Sequence, residues 1–338
     1  CISTRIQNEI FYTGATDRTI KIWNTDSFKL QLTLTGHTFP VRGIVSSDRH
    51  PYLFSCSEDK EIFCWDLTQN KIVRKYHGHL SGVYCIAVHP TLDAIISGGR
   101  DSAARVWDMR TKAEVFILSG HRNTIGSMIV QEADPQIVTG SEDSTIKMWD
   151  LRTGKTMDEL TYHKKGVKSL ASHPFEFTFA SGGADNVKKY AFSQNKYQNE
   201  DSNENRAGKG GQSSVFQNKF GQSLGGTQYL GNIDNCGETV NSLSLNEDGV
   251  LAGGCKDGSL CFWDYRTGYL FEKINDITQQ VGTQDFEKTI NACSFDRSGT
   301  RLITANSDKS IKIFIEDEKS TPETNPIEWA PKNDIRRW

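Results

Sequence analysis

The windows "TIKIWN", "EIFCWD", "AARVWD" and "STIKMWD" place Trp23, Trp65, Trp107 and Trp149 at successive steps of 42 residues. "VKKYAF" at Tyr190, "SLCFWD" at Trp263 and "SIKIFI" at Phe314 continue the series at steps of 41, 73 and 51. A common unit of about 42 leaves roughly 31 and 9 residues over in the two long steps, which read as insertions into a repeat of ~40–45 residues. Seven copies of one short unit organise nearly the whole chain.

Within each unit apolar and polar residues alternate with period two over five or six positions, and Gly, Asp, Asn or Pro punctuates between the runs. In "STIKMWD", Ile146 and Met148 fall on one face of a strand and Lys147 and Trp149 on the other. Helical spacing is absent. Short strands with a turn about every 8–12 residues predict an all-β sandwich or closed β array, and the fixed long period selects the closed array. The pairs Gly36-His37, Gly78-His79 and Gly120-His121, the "SGGRD" type of turn and the terminal "WD" resemble WD-repeat β-propellers over almost the entire chain. That resemblance implies a seven-bladed WD-repeat β-propeller at 1–315 with one four-stranded sheet per blade, then an extended tail at 316–338.

Composition narrows what such a body can do. Lys and Arg number 39 against 42 Asp and Glu, so the chain as a whole does not attract nucleic acid or anionic membrane, and any such contact must be local. The eight cysteines never form CxxC and several lie in apolar runs, which predicts reduced, buried thiols in an intracellular protein and no zinc site. No run reaches the ~20 apolar residues that span a bilayer. The chain starts at Cys1 rather than Met, which reads as a trimmed fragment whose upstream targeting signals are out of view.

A polar constellation repeats with the tryptophans. Asp17, Asp59, Asp101, Asp143, Asp257 and Asp308 precede the Trp-type residue by six, and Asp185 precedes Tyr190 by five. Four residues before each Asp stands a hydroxyl, Thr13, Ser55, Ser97, Thr139, Ser181 or Thr304, with Gly253 the exception. His37, His79 and His121 lie 28 residues before Trp65, Trp107 and Trp149, and His163 lies 27 before Tyr190. A catalytic site has no reason to recur four times at constant spacing. The residue types instead suit a closed network in which the turn carboxylate accepts from a His ring N–H, the other ring nitrogen accepts from the hydroxyl, and that oxygen accepts from the indole N–H.

Units six and seven depart from this pattern, with Gly253 for the hydroxyl, Phe314 for the tryptophan and no "GH" before either. They are expected to lean on apolar packing. Unit one begins in its innermost strand, and propellers commonly close the ring with a strand lent by one terminus, so the closing strand is expected to lie outside the given sequence. Residues 193–227, rich in Asn, Gln, Gly and Ser, are expected to form a polar surface insertion between blades five and six, with Phe216 and Phe220 as its apolar points. A shorter excess near 275–288 falls on the connection between the last two blades, and the tail carries Trp329 and Trp338. Glu58, Arg100, Glu142 and Lys256, beside the turn Asp, and Arg42, Tyr84 and Lys168, opening first strands, should share one face and make a peptide-binding surface. The clusters "HKKGVK" and "VKKY" leave room for a minor contact with phosphates.

The runs "LTGHTFPVRGIVSSDRHPYLFSCSEDKEIFCWDLTQNKIVRKYHGHLSGVYCIAVHPTLD", "GRDSAARVWDMRTKAEVFILSGH", "HKKGVKSLASHPFEFTFASGGADNVKKY", "DYRTGY" and "NPIEWAP" are similar to the pleiotropic regulator family of spliceosomal WD-repeat proteins, the polar insertion being the main departure. The resemblance implies a nuclear, non-catalytic scaffold of the Prp19-associated complex in pre-mRNA splicing. Its implied partners are a Myb-domain splicing factor and an extended SKIP-type protein. An alternative comes from "WDxR" at Trp107 to Arg110, Trp149 to Arg152 and Trp263 to Arg266, which is similar to the motif of propellers that serve as substrate receptors of cullin-based ubiquitin ligases. No Gly-rich phosphate loop, metal-ligand cluster or unique nucleophile points to an enzyme, a cofactor or a small-molecule substrate.

Overall fold

Seven antiparallel sheets carry the chain in a computed structural model, which describes residues 1–4, 10–133, 136–192, 227–233, 237–275, 277, 279, 285–296 and 298–316. Blade one holds β1 (Ile2–Thr4), β2 (Ile10–Gly14), β3 (Thr19–Asn24) and β4 (Leu30–Thr35); blade two holds β5 (Val41–Ser46), β6 (Tyr52–Ser57), β7 (Ile62–Asp66) and β8 (Lys71–Tyr76). Blade three holds β9 (Val83–Val88), β10 (Ala94–Gly99), β11 (Ala103–Asp108) and β12 (Glu114–Ser119), and blade four β13 (Ile125–Val130), β14 (Ile137–Ser141), β15 (Ile146–Asp150) and β16 (Lys155–Leu160). Blade five follows with β17 (Val167–Ser172), β18 (Thr178–Gly183), β19 (Val187–Ala191) and β20 (Gln228–Asn232). Blade six holds β21 (Val240–Leu245), β22 (Val250–Cys255), β23 (Leu260–Asp264) and β24 (Leu270–Ile274), and blade seven β25 (Ile290–Phe295), β26 (Arg301–Asn306) and β27 (Ile311–Ile315). The first strand of each blade packs on the first strand of the next, and β1 touches both β5 and β25, which closes the ring into a seven-bladed propeller.

One expectation is corrected. β20 pairs with β19, with Tyr190 opposite Tyr229, so residues 193–226 connect the third and fourth strands of blade five rather than blades five and six. The alternation of "QYLGN" supplies the fourth strand. Phe216, Phe220, Trp329 and Trp338 lie outside the described residues. Blade seven has three strands, and among the described residues none pairs with the outer edge of β27.

The core lies between blades, because each sheet is covered on both faces. Between blades two and three, for example, Phe54, Cys64 and Tyr76 meet Val83, Ile95 and Trp107. Second strands are buried along their whole length, as in β14, where Thr139, Gly140 and Ser141 are as buried as Ile137. Near the axis the blades taper, and the residue three before the turn Asp is correspondingly small: Gly14, Cys56, Gly98, Gly140, Gly182, Gly254 and Ala305. A Cβ on Gly140 would stand 2.7 Å from Ser127 Oγ and 2.9 Å from Val167 of the next blade, and one on Gly254 only 2.5 Å from Ile290. The small residues let adjacent blades approach at the narrow end of the wedge.

Candidate functional site

In an antiparallel blade, the loop leading into the first strand and the turn between the second and third strands lie at the same end. In blades two to five a histidine joins them. His37 Nδ1 is 2.7 Å from Asp59 and Nε2 is 2.7 Å from Ser55, whose Oγ accepts the Trp65 indole N–H at 2.8 Å. His79, Asp101, Ser97 and Trp107 repeat this at 2.8, 2.7 and 2.8 Å, and His121, Asp143, Thr139 and Trp149 at 3.0, 2.7 and 2.9 Å. His163 stands 2.7 Å from Asp185 and 2.6 Å from Ser181, while Tyr190, in the tryptophan position, stacks on Phe179 at 5.0 Å. The arrangement that gives every hydrogen an acceptor puts the ring proton on Nδ1, toward the carboxylate.

The carboxylates hold more than histidine. The N–H of the residue after each histidine, Thr38, Leu80, Arg122 or Lys164, donates to the same Asp at 3.3, 3.3, 2.9 and 3.1 Å. The Asp also accepts within its own turn, as from the Thr145 N–H at 2.8 Å. Burial raises the pKa of Asp143, but hydrogen bonds from Thr145, the Arg122 N–H and His121 outweigh it and hold the carboxyl down at about 2. Burial dominates the other way at His121 and His163, pushing both below the ordinary 6.5 despite their carboxylate partners. The four imidazole side chains are 0–1 % exposed and have both nitrogens engaged, so none can take a proton from a substrate in solvent.

Three features of this region escape a reading of the repeat alone. Four residues after the Asp, Arg105 and Lys147 are buried and paired to Glu114 and Glu159 of the outer strand, and Lys188 of blade five reaches Asp185 at 3.3 Å. Blade two puts Phe63 in that place, stacked on His37 at 4.0 Å and capped by Lys75. At the opposite end of the blades, His89 and His173 use Nδ1 to accept two backbone N–H groups each, from Thr91 and Leu92 and from Phe175 and Glu176, which organises the "HP" loops. Every first strand from blade two to blade seven also carries a β-bulge, at Arg42, Tyr84, Gly126, Lys168, Asn241 and Asn291. The sequence signal is an apolar residue, the bulged residue and then a small one, as in "VRG", "VYC" and "VKS".

The bulges explain where the proposed docking residues sit, since an extra residue in one strand re-aims its side chain away from the ladder. The turn residues are tied beside them by backbone bonds, Glu58 to Pro40, Arg100 to Gly82, Glu142 to Thr124 and Lys256 to Thr239, at 3.2, 2.9, 2.9 and 2.9 Å. Arg42 pairs with Glu58 at 2.6 Å and lies 5.6 Å over the Tyr84 ring, and Lys168 pairs with Glu142 at 2.6 Å. Arg100 and Lys256 are exposed on the same end, with no carboxylate in ion-pair reach among the described residues. The "WDxR" arginines lie at the other end of the blades. There Asp108, Asp150 and Asp264 accept the N–H of Arg110, Arg152 and Arg266 at 2.8, 2.8 and 2.9 Å, and the following threonine bonds the same carboxylate. The Asp of the motif and the Thr after it are thereby engaged in a turn, and the side chains of Arg110, Arg152 and Arg266 are exposed.

The chain matches the WD domain, G-beta repeat family at residues 28–66, 70–108, 112–150, 154–187, 228–264 and 278–314. It is similar to pre-mRNA-splicing factor PRP46 of Kluyveromyces lactis, 56% identical over 96% of this chain and 68% of that protein, and to PRP46 of Candida glabrata, 50% identical over 100% of this chain and 72% of that protein. Mouse pleiotropic regulator 1 is 46% identical over 47% of this chain, a stretch that spans 25% of the mouse protein. Repeat, ring of blades and these relatives together assign the chain to the WD-repeat family, within the group of the pleiotropic regulators and the PRP46 splicing factors.

Proposed function

We propose that the chain is a non-catalytic protein-docking scaffold of the nuclear pre-mRNA splicing machinery. The observation that carries this is its 56% identity to a pre-mRNA-splicing factor along nearly its whole length. The geometry supports it: the histidines are spent on holding loops, and a rigid frame that displays bulged side chains at one end suits peptide recognition. The partners in this reading are a Myb-domain splicing factor and an extended SKIP-type protein, with RNA contact minor. Isolation of the tagged protein from nuclear extract tests it. Recovery of these proteins with spliceosomal small nuclear RNAs is the expected result, and recovery of a cullin adaptor without splicing components overturns it.

A further inference from the structure

The whole chain has net charge −3, yet the end of the propeller that bears the bulges carries a run of exposed cations on successive blades. Its two turn glutamates are consumed, Glu58 by Arg42 and Glu142 by Lys168. Arg100, Arg122, Lys164, Lys165 and Lys256, on blades three to six, are all exposed there, and among the described residues no carboxylate stands within ion-pair distance of any of them. The loops of blades two and three, in the places where blades four and five put Arg122 and Lys165, instead expose Phe39 at 54% and Leu80 at 76%, the largest exposure among the large apolar side chains described. Phe39 and Leu80 thus adjoin the cations of blades three to six on one face, with Lys60 and Arg42 of blade two beside them.

From this juxtaposition we infer that the face binds an extended acidic segment of another protein, its carboxylates along blades three to six and a large apolar side chain against Phe39 and Leu80. This rests on the reading of the chain as a docking scaffold and adds the chemistry of the occupant. Charge complementarity favours an acidic strand. The apolar arc favours peptide over nucleic acid, because single-stranded RNA is held by several aromatic rings interleaved with cations, whereas this arc offers one ring, Phe39, beside a leucine that gives a base no stacking surface. The two tyrosines on this face are each already covered on one side, Tyr84 by Arg42 and Tyr162 by Tyr229 at 4.8 Å. Since the loops are pinned by the His and Asp network, the segment meets a preformed surface and little ordering opposes binding.

Fluorescence anisotropy with the full chain tests this, using a fluorescein-labelled peptide with a run of Asp and Glu followed by Leu and Phe. The same peptide with Lys for every acid and a single-stranded RNA of similar length serve as comparisons. The acidic peptide should bind tightest and weaken as salt rises. Lys164→Glu with Lys165→Glu should weaken it by at least about tenfold, and Leu80→Ser by about threefold or more. All three side chains are exposed, so melting temperature should not move, and it is measured alongside. Equal binding of the acidic and basic peptides overturns the inference. So does RNA binding that is tighter, lost with the lysine reversals and indifferent to Leu80→Ser, which would make the face a nucleic-acid site. If the peptide fails while the wild-type protein still recovers splicing proteins from nuclear extract, only this inference falls; if the wild type recovers none, the scaffold reading falls with it.

Discussion

Blades four and six are built on the same repeat and solve the same problem with different chemistry. In blade four His121 links the leading loop to the turn through Asp143 and Thr139. Blade six has no such histidine, and among the described residues its Asp257 accepts within its own turn, from the Ser259 N–H at 2.9 Å and hydroxyl at 2.6 Å. Where blade four has Thr139, blade six has Gly253, and the ring of Trp263 occupies the space a side chain would need, 2.6 Å from where a Cβ would stand. Both blades nevertheless pair four strands and bury the tryptophan completely. Apolar packing against the neighbours is thus enough to make a blade. The polar network adds something else, a fixed position for the loop that precedes it, and it is found where the exposed loops carry Phe39, Leu80, Arg122 and Lys164.

The widest separation between the two designs is expected on losing the turn carboxylate. Asp143→Ala leaves the His121 ring N–H and the N–H groups of Arg122 and Thr145 without their acceptor, and should cost about 3 kcal/mol in denaturant unfolding. Asp257→Ala removes only local turn bonds at an exposed position and should cost less than about 1 kcal/mol. Equal losses would mean that the Asp acts through its hairpin alone.

A more pointed comparison comes from restoring the missing hydroxyl. By the logic of the repeat, Gly253→Ser should repair blade six. The structure forecasts the reverse, a loss of about 1–3 kcal/mol, because the new Cβ must displace the Trp263 ring. A stabilised Gly253→Ser protein would show that Trp263 can swing into the position Trp149 holds and that the glycine is an accident of sequence.

These two substitutions also mark how far the sequence could be read. The blade count, strand order and partners of His37, His79, His121 and His163 follow from fixed offsets, since a repeat that recurs with the same residue types must reuse the same contacts. The position of residues 193–226 did not, because a spacing of 73 between Tyr190 and Trp263 is the same whether the extra residues fall before or after the outer strand; only the pairing of Tyr190 with Tyr229 decides it. Nor were the bulges visible as bulges, as the period-two pattern hides one inserted residue when both faces of the strand are buried. Arg42 with Glu58 and Lys168 with Glu142 were read as separate surface charges, and their pairing leaves Arg100 and Lys256 as the cations free to meet a partner.

Acid should open blades four and five before blade six. His121 and His163 are held below 6.5 by burial, so the unfolded chain binds protons that the folded chain does not. The stability tied to them is fully present above pH 6.5 and is lost as the pH falls below it; the part tied to Asp143 goes later, as the pH drops below 3.8 toward 2. His89 and His173 are lowered in the same sense and add to the global trend, but they sit at the other end of the blades. Hydrogen exchange separates the contributions: between about pH 7.5 and about 5.5, after correction for intrinsic rates, protection of the Arg122 and Lys164 amides should fall more than that of the Lys256 amide. Uniform protection would mean that opening these loops does not free the imidazoles for protonation and that the loops are held by backbone bonds instead.

The smallest effect tests whether the network needs its buried cation. Lys147 is paired to Glu159 at 2.8 Å beside the His121 cluster, and it costs desolvation to keep an ammonium group there. Blade two shows the alternative in the same molecule, with Phe63 stacked on His37 at the corresponding position and a lysine from the outer strand lying over the ring. Lys147→Phe should therefore change stability by less than about 1 kcal/mol, with the His121 to Asp143 bond retained, because stacking on the imidazole replaces an ion pair whose attraction is largely offset by burial. A much larger loss would show that the cation is needed for the charge it sets against Asp143 and Glu159, and that blade two tolerates Phe63 only because Lys75 reaches over it, a condition Lys147→Phe alone does not recreate.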